Sequence, residues 1–297
     1  MPRDLHPGQR SELYTLDVDS GQRELIATSA ELLFEAPNWT SDGEWLVING
    51  GGKLYRVAAA GHDDLVPIDL GDIPAINNDH VVSPDARTVY VSSEDGHIYA
   101  VPVEGGSIRR VSNDHDAFTY YLHGVSPDGD TLAYIGMQRH VDGLVTTNVF
   151  TIPSAGGADV QLTDDEFADD GSEFGPDGKW IYFNSERASS TPGHAQLFRM
   201  RTDGSGTEQL TFDERVNWFP HVSPVGDRIA YVSFPPGTLG HPADVEVIVR
   251  LLEVADVAKG ASTHRDLVTA FGGQGTMNVP SWDATGRRIA FVNYAAE

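Results

Sequence analysis

Three histidines and one glutamate stand at equivalent places in the chain, just ahead of a bulky residue that precedes a tight turn. His80 and His123 lie two residues before Val82 and Val125, whereas Glu173 and His221 lie one residue before Phe174 and Val222. Elsewhere the first of these places holds Pro37, Pro220 or Pro280, and ahead of Phe174 it holds Ser172. Neutral imidazoles joined by one carboxylate make a donor set for a divalent metal ion such as manganese, zinc, iron or nickel. His80, His123 and His221 are the expected ligands, and Glu173 is the fourth ligand or a base. The spacing is long-range, so only a fold can gather the set; otherwise the same histidines are hydrogen-bonding groups in a polar channel. His221 is one place out of register with the other two, and successive strand residues face opposite sides.

The segments leading into these places carry Asn77, Asn78 and Asp79, then Tyr120 and Tyr121, Asp169 and Asp170, Asn217 and Trp218, and Gln274 and Asn278. Amides and carboxylates beside flat rings suit a sugar, whose hydroxyls need donors and acceptors and whose C–H faces need an apolar plane. Asn78, Asp79, Tyr121, Asp170, Asn217, Trp218, Gln274 and Asn278 are the expected substrate contacts. Asx turns account equally well for Asn77, Asn78 and Asp79. A second group of loops supplies Arg139, His140, Glu186, Arg187, His194 and, in FPPGTLGHPAD, His241. Of these, Arg187 and His241 join Glu173 as expected catalytic groups that bind or deprotonate the substrate. His6, His62, His97, His115 and His264 fall outside this arrangement.

What must position these residues is a repeat. APNWTSDGEWLVIN (36–49), DHVVSPDARTVYVSS (79–93), LHGVSPDGDTLAYIG (122–136), GSEFGPDGKWIYFNS (171–185), FPHVSPVGDRIAYVS (219–233) and VPSWDATGRRIAFVN (279–293) share one pattern. Each is a short strand ending in a bulky anchor, an S-P-D-G type turn, and an alternating strand, which is a β-hairpin. The anchors Trp39, Val82, Val125, Phe174, Val222 and Trp282 recur at intervals of 43, 43, 49, 48 and 60 residues. A period of that length carrying several strands marks propeller blades. Each hairpin is followed by a third strand such as HIYAVPV or QLFRMR and a shorter fourth such as VQLT. The last hairpin has no such partners, whereas the chain begins with ELYTLDV and RELIATS, a third and fourth strand without a hairpin. The expected architecture is all-β: one six-bladed propeller over residues 1–297, with four antiparallel strands per blade, closed by pairing N-terminal and C-terminal strands in one blade.

Composition narrows the function classes. There are 44 acidic residues against 20 basic ones, a formal charge of −24, and a field of that sign repels nucleic acid and anionic lipid. No basic patch offsets it. The absence of cysteine excludes disulfides, thiolate metal sites and cysteine nucleophiles. The opening MPRDLHPGQRSELYTLDV has no apolar signal region and no stretch is long and apolar enough to span a membrane, so a cytoplasmic location is expected unless a leader has been removed. G-x-S-x-G and Walker patterns are missing.

The hairpin pattern, plainest in GSEFGPDGKWIYFNS and VPSWDATGRRIAFVN, resembles the propeller repeats of TolB and its bacterial relatives over nearly the whole chain. The strings NNDH, HGVSPDG, DDGSEFGPDGKWIYFNSER, NWFPHVSP, GHPAD and FGGQGTMNVPSW are similar to a subgroup that lacks the additional N-terminal domain of TolB. That subgroup often accompanies carbohydrate-use genes. A more distant resemblance is to oligogalacturonate lyases, whose larger propeller holds a divalent metal with His residues and a Gln at its centre. The expected function is an enzyme acting on a sugar or oligosaccharide in the channel, a metal-assisted lyase working by β-elimination or a glycoside hydrolase. The alternative is a non-catalytic TolB-like binding or scaffold propeller for a protein or glycan partner.

Overall fold

The computed structural model describes residues 3–61, 64–257 and 263–296; His62 lies outside them. Six antiparallel sheets form the blades of a closed ring. The innermost strands of blades one to five are Phe34–Trp39, Ile76–Val82, Thr119–Val125, Asp169–Phe174 and Val216–Val222. Each continues outward through its hairpin partner to a third and a fourth strand. In blades two, three and four the outermost strand shrinks to two residues, as in Arg109–Arg110. Short outer edges of this kind leave little unpaired backbone to template aggregation.

Blade six closes the ring as the unmatched ends imply. Gln9–Asp17 pairs along its whole length with Arg288–Ala296, from Gln9 opposite Ala296 to Asp17 opposite Arg288, and Arg23–Ser29 lies outside it. Its innermost position is reduced to one bridge between Trp282 and Ile289. Large side chains from the second strands fill the spaces between blades: Tyr134, Phe183, Tyr231 and Phe291 are all buried. Burying each stabilises the ring by roughly 1.5–3 kcal/mol on transfer scales.

The hairpin turns have a common chemistry. The hydroxyls of Ser83 and Ser126 donate to Asp85 and Asp128 at 2.6 and 2.5 Å, and accept from the backbone N–H of Thr88 and Thr131. The last turn residue takes positive φ in every blade, as Gly43, Gly129, Gly178, Gly226 and Gly286, but in blade two as Ala86 at 58°.

Two features of the innermost strands govern the channel. Register shifts interrupt all five, between Glu35 and Asn38, Ile76 and His80, Leu122 and Gly124, Asp170 and Glu173, and Trp218 and His221. Such bulges re-aim side chains. Below them, the residue before the anchor ties neighbouring blades together: Asn38 accepts the N–H of Val82, and Glu173 accepts that of Val222 at 3.0 Å. Among the described residues no helix is long and apolar enough to cross a membrane.

Candidate functional site

The innermost strands enter the channel at one mouth, here called upper, and leave it at the anchors. Four residues before the anchor stand Glu35, Asn78, Tyr121, Asp170, Trp218 and Asn278. All but Trp218 line a single cavity of about 270 Å³ at the upper mouth, together with Asp79, His123, Phe219, His241 and Gln274. Every blade therefore contributes to it.

Asp170 is its centre. One carboxylate oxygen lies 2.8 Å from His123 Nε2 and the other 3.3 Å from His241 Nε2. Burial opposes ionisation of Asp170, but the charge and hydrogen bond of His123, then those of His241, overcome it and hold the carboxyl well below the usual carboxylate range. Burial likewise opposes protonation of the two imidazoles, yet Asp170 and then Asp79 raise both above the ordinary histidine value. His241 also meets Gln274 Oε1 through Nδ1 at 2.9 Å. A carboxylate at one ring nitrogen and an amide oxygen at the other favour the doubly protonated imidazole. His123, buried and 4% exposed, has no partner on Nδ1.

Asp79 forms a second group. It accepts from Asn278 Nδ2 and Asn77 Nδ2, each at 2.8 Å, while its own N–H donates to Asn77 Oδ1. Burial pushes its carboxyl up, and His123 offsets part of that rise. His241 is held by rings: Trp218 and Phe219 meet it edge-on at 4.5 and 5.3 Å between centroids. Phe219 also stacks on His123 at 5.9 Å. It does so from φ 55°, a left-handed conformation that costs a side-chain-bearing residue roughly 1–2 kcal/mol. Its N–H donates to Asn184 Oδ1 at 3.0 Å.

Glu35, Asn49, Phe219 and Arg3 are among the lining residues that a reading of the sequence does not single out. Glu35 occupies the same four-before-anchor place as Asn78 and Asp170, so register alone could have found it. Burial raises its carboxyl, and Arg3 counters that only in part. Arg3, from the segment before the first strand, pairs with Glu35 and with Asp244 Oδ1 at 2.8 Å.

The other expected residues lie elsewhere. His80 is fully buried and its Nε2 meets the Val47 carbonyl of blade one at 3.3 Å; burial pushes it down to about 4. His221 Nδ1 meets Glu173 Oε2 at 2.6 Å, and Glu173 lines a cavity at the lower mouth with Trp39, Phe174 and Trp282. Arg187 turns back into its own blade, donating to both oxygens of Asp169 at 2.9 Å and lying over the rings of Phe183 and Phe198. Asp169 is thereby a structural partner, pushed up to about 6 by burial against the pull of Arg187. Asn217 is buried among Gln196, Asp213 and Ser233.

His80, His123 and His221 thus spend ring nitrogens on three different partners and do not converge. Among the described residues no group of three or more His, Asp or Glu side chains is arranged to hold a metal ion. The donor set expected from the sequence does not fit one, because bulges and inter-blade hydrogen bonds aim the imidazoles apart. The upper mouth offers fixed charges of both signs, amide donors and acceptors, and ring faces.

Comparison with known proteins agrees with the repeat. A model of the TolB beta propeller domain matches residues 126–242. An uncharacterised protein of Agrobacterium fabrum is 35% identical over 286 residues, which is 96% of this chain and 92% of that one. A solved structure carried under the provisional name TolB, from Agrobacterium tumefaciens, superposes with a TM-score of 0.87 at 35% identity, covering 97% of this chain and 99% of its own. An oligogalacturonate lyase in complex with manganese shares the fold, with a TM-score of 0.59 at 12% identity over 90% of this chain and 74% of the lyase. With a relative of that identity matched nearly end to end, the chain belongs to the TolB β-propeller family.

Proposed function

We propose that the chain is a binding propeller and that a protein partner inserts a short polar segment into the upper mouth of the channel. The observation that carries this reading is the lining itself: Asp170, His123, His241 and Gln274 form one bonded chain, and Asp79, Asn77 and Asn278 another. A lining fixed in advance loses little freedom when a ligand arrives. His123 Nδ1 is buried without a hydrogen-bond partner, an orphaned polar atom of the kind found at functional sites.

A sugar is the second reading, on one observation: the amides of Asn77, Asn78 and Asn278 line the same cavity as the Tyr121 ring, a pairing suited to hydroxyls and C–H faces. Asp170 between two imidazoles could then hold or move a proton. Peptide-display selection on the immobilised protein, with Asp170→Asn as counter-target, separates the two. The expected result is a set of peptides at least tenfold weaker on the variant. Failure to enrich any peptide, together with cleavage of a uronate oligosaccharide by wild type but not by His123→Ala, would replace the binding reading with the enzymatic one.

A further inference from the structure

We propose that the upper mouth is a receptor for a guanidinium-bearing segment of a basic partner, and that Arg3 of the chain's own N-terminal segment occupies this receptor in cis. The inference rests on the binding-propeller reading and names the chemistry of its ligand.

Arg3 lies before the first paired residue, Gln9, yet its side chain lines the same cavity as Asp170 and His123. It meets Glu35 of blade one, Asp244 near the start of the third strand of blade five, Ala243–Glu253, and the face of Tyr294 in blade six at 5.4 Å. A carboxylate on one side, a second on the other and a ring beneath are what a planar guanidinium selects. A latch for a terminal segment needs only a surface carboxylate. Glu35 instead is buried, and burying a charge costs several kcal/mol unless partners are prepared. Here they are. The Asn49 side chain hydrogen-bonds Glu35, and Tyr294 donates to the Phe34 carbonyl at 3.2 Å. Gly275 closes over the pair where a Cβ would sit 2.6 Å from Glu35 Oε1 and 2.7 Å from the Tyr294 hydroxyl.

An independent observation points to a donor-rich ligand. Asn49 Oδ1, on a residue 4% exposed that lines the cavity, has no hydrogen-bond partner. Arg3, whose Nη atoms go to Glu35 and Asp244, leaves this acceptor unsatisfied, and a segment entering from a partner brings backbone N–H groups beside its guanidinium. The formal charge of −24 draws a basic segment toward the mouth and speeds its encounter.

A tethered occupant competes at an effective concentration on the order of millimolar, so a free probe should bind better once Arg3 is removed. The probe is N-acetyl-arginine amide, measured by titration calorimetry. At least tenfold tighter binding to Arg3→Ala than to wild type is expected, and at least tenfold loss when Glu35→Gln is added. In wild type, with no substitution, probe titration should move the Arg3 Nε–H resonance toward its free position. Equal affinity for wild type and Arg3→Ala, indifference to Glu35→Gln, or an unmoved Arg3 resonance at probe saturation overturns the proposal. Display-selected peptides that bind the mouth but carry no basic residue overturn it too, and leave the binding reading standing.

Discussion

At the scale of single residues, the upper mouth is held by one carboxylate shared between two imidazoles. Asp170 is depressed, so its contribution to stability is present above the unfolded carboxylate value of about 3.9 and is lost as pH falls through its folded value. His123 and His241 are raised, so theirs is fully present below about 6.5 and is lost as pH rises through their folded values. The group therefore stabilises most between about pH 4 and about pH 6.5. Asp170→Asn should lower both histidine values, read by NMR of the ring nitrogens, and flatten the fall in melting temperature between mildly acidic and alkaline pH. At pH 6 it should cost about 2–3 kcal/mol, less than a fully buried pair because the Asp170 side chain keeps 18% of its exposure. Unchanged histidine titrations in the variant would refute the sharing. Phe219 makes a separate case. Glycine in a strand is ordinarily worse than alanine by about 0.5–1 kcal/mol, but φ 55° reverses the order, so Phe219→Gly should be more stable than Phe219→Ala by about 1 kcal/mol. Denaturant unfolding of the two variants measures it, and the ordinary order would mean that the backbone relaxes once the ring is gone.

At the scale of strands and turns, the anchors and the S-P-D-G turns made the hairpins legible, because a repeated turn chemistry leaves a repeated string. The four-before-anchor places were legible for the same reason: Asn78, Tyr121, Asp170 and Asn278 all line the cavity. Side-chain direction was not legible. Bulges at Leu122 and Gly124 and at Asp170 and Glu173 break the alternation on which any reading of facing residues depends, so His80, His123 and His221 were expected together and lie apart. Arg187 was misplaced because a loop after the second strand can fold back on its own blade, and Arg3 because it belongs to no repeat. One exception to the turn chemistry gives a test at this scale. Blade two places Ala86 at φ 58° where the other blades place glycine. Ala86→Gly relieves a left-handed alanine, worth roughly 1–2 kcal/mol, while loosening the unfolded chain by about 0.4–1 kcal/mol. A net gain of about 0.5–1 kcal/mol is expected, seen as a raised denaturant midpoint with unchanged slope. A lowered midpoint would show that turn hydrogen bonds, not φ, dominate there.

At the scale of the whole molecule, closure decides whether six blades behave as one unit. In an open array each repeat touches only its neighbours, and unfolding can start at either end. The ring has no ends, because Gln9–Asp17 pairs with Arg288–Ala296. That seam buries Leu13 and Leu16 from one end of the chain and Phe291 and Val292 from the other. It also carries Tyr294, whose face supports Arg3, so closure and the upper mouth share a residue. The acidic charge works against compaction by self-repulsion, which makes the seam the place where an opened ring would begin to fray. Deleting residues 288–297 should therefore abolish the single cooperative transition, leaving a broad unfolding profile with a reduced denaturant slope. A circular permutant that joins the two ends by a short linker and opens the turn between Pro127 and Asp128 should keep the transition, since it moves the break to an exposed turn and preserves the seam. If the truncated chain still melts in one sharp step with its slope intact, the blades cohere without closure, and the pairing of the ends is an ornament of the fold rather than its clasp.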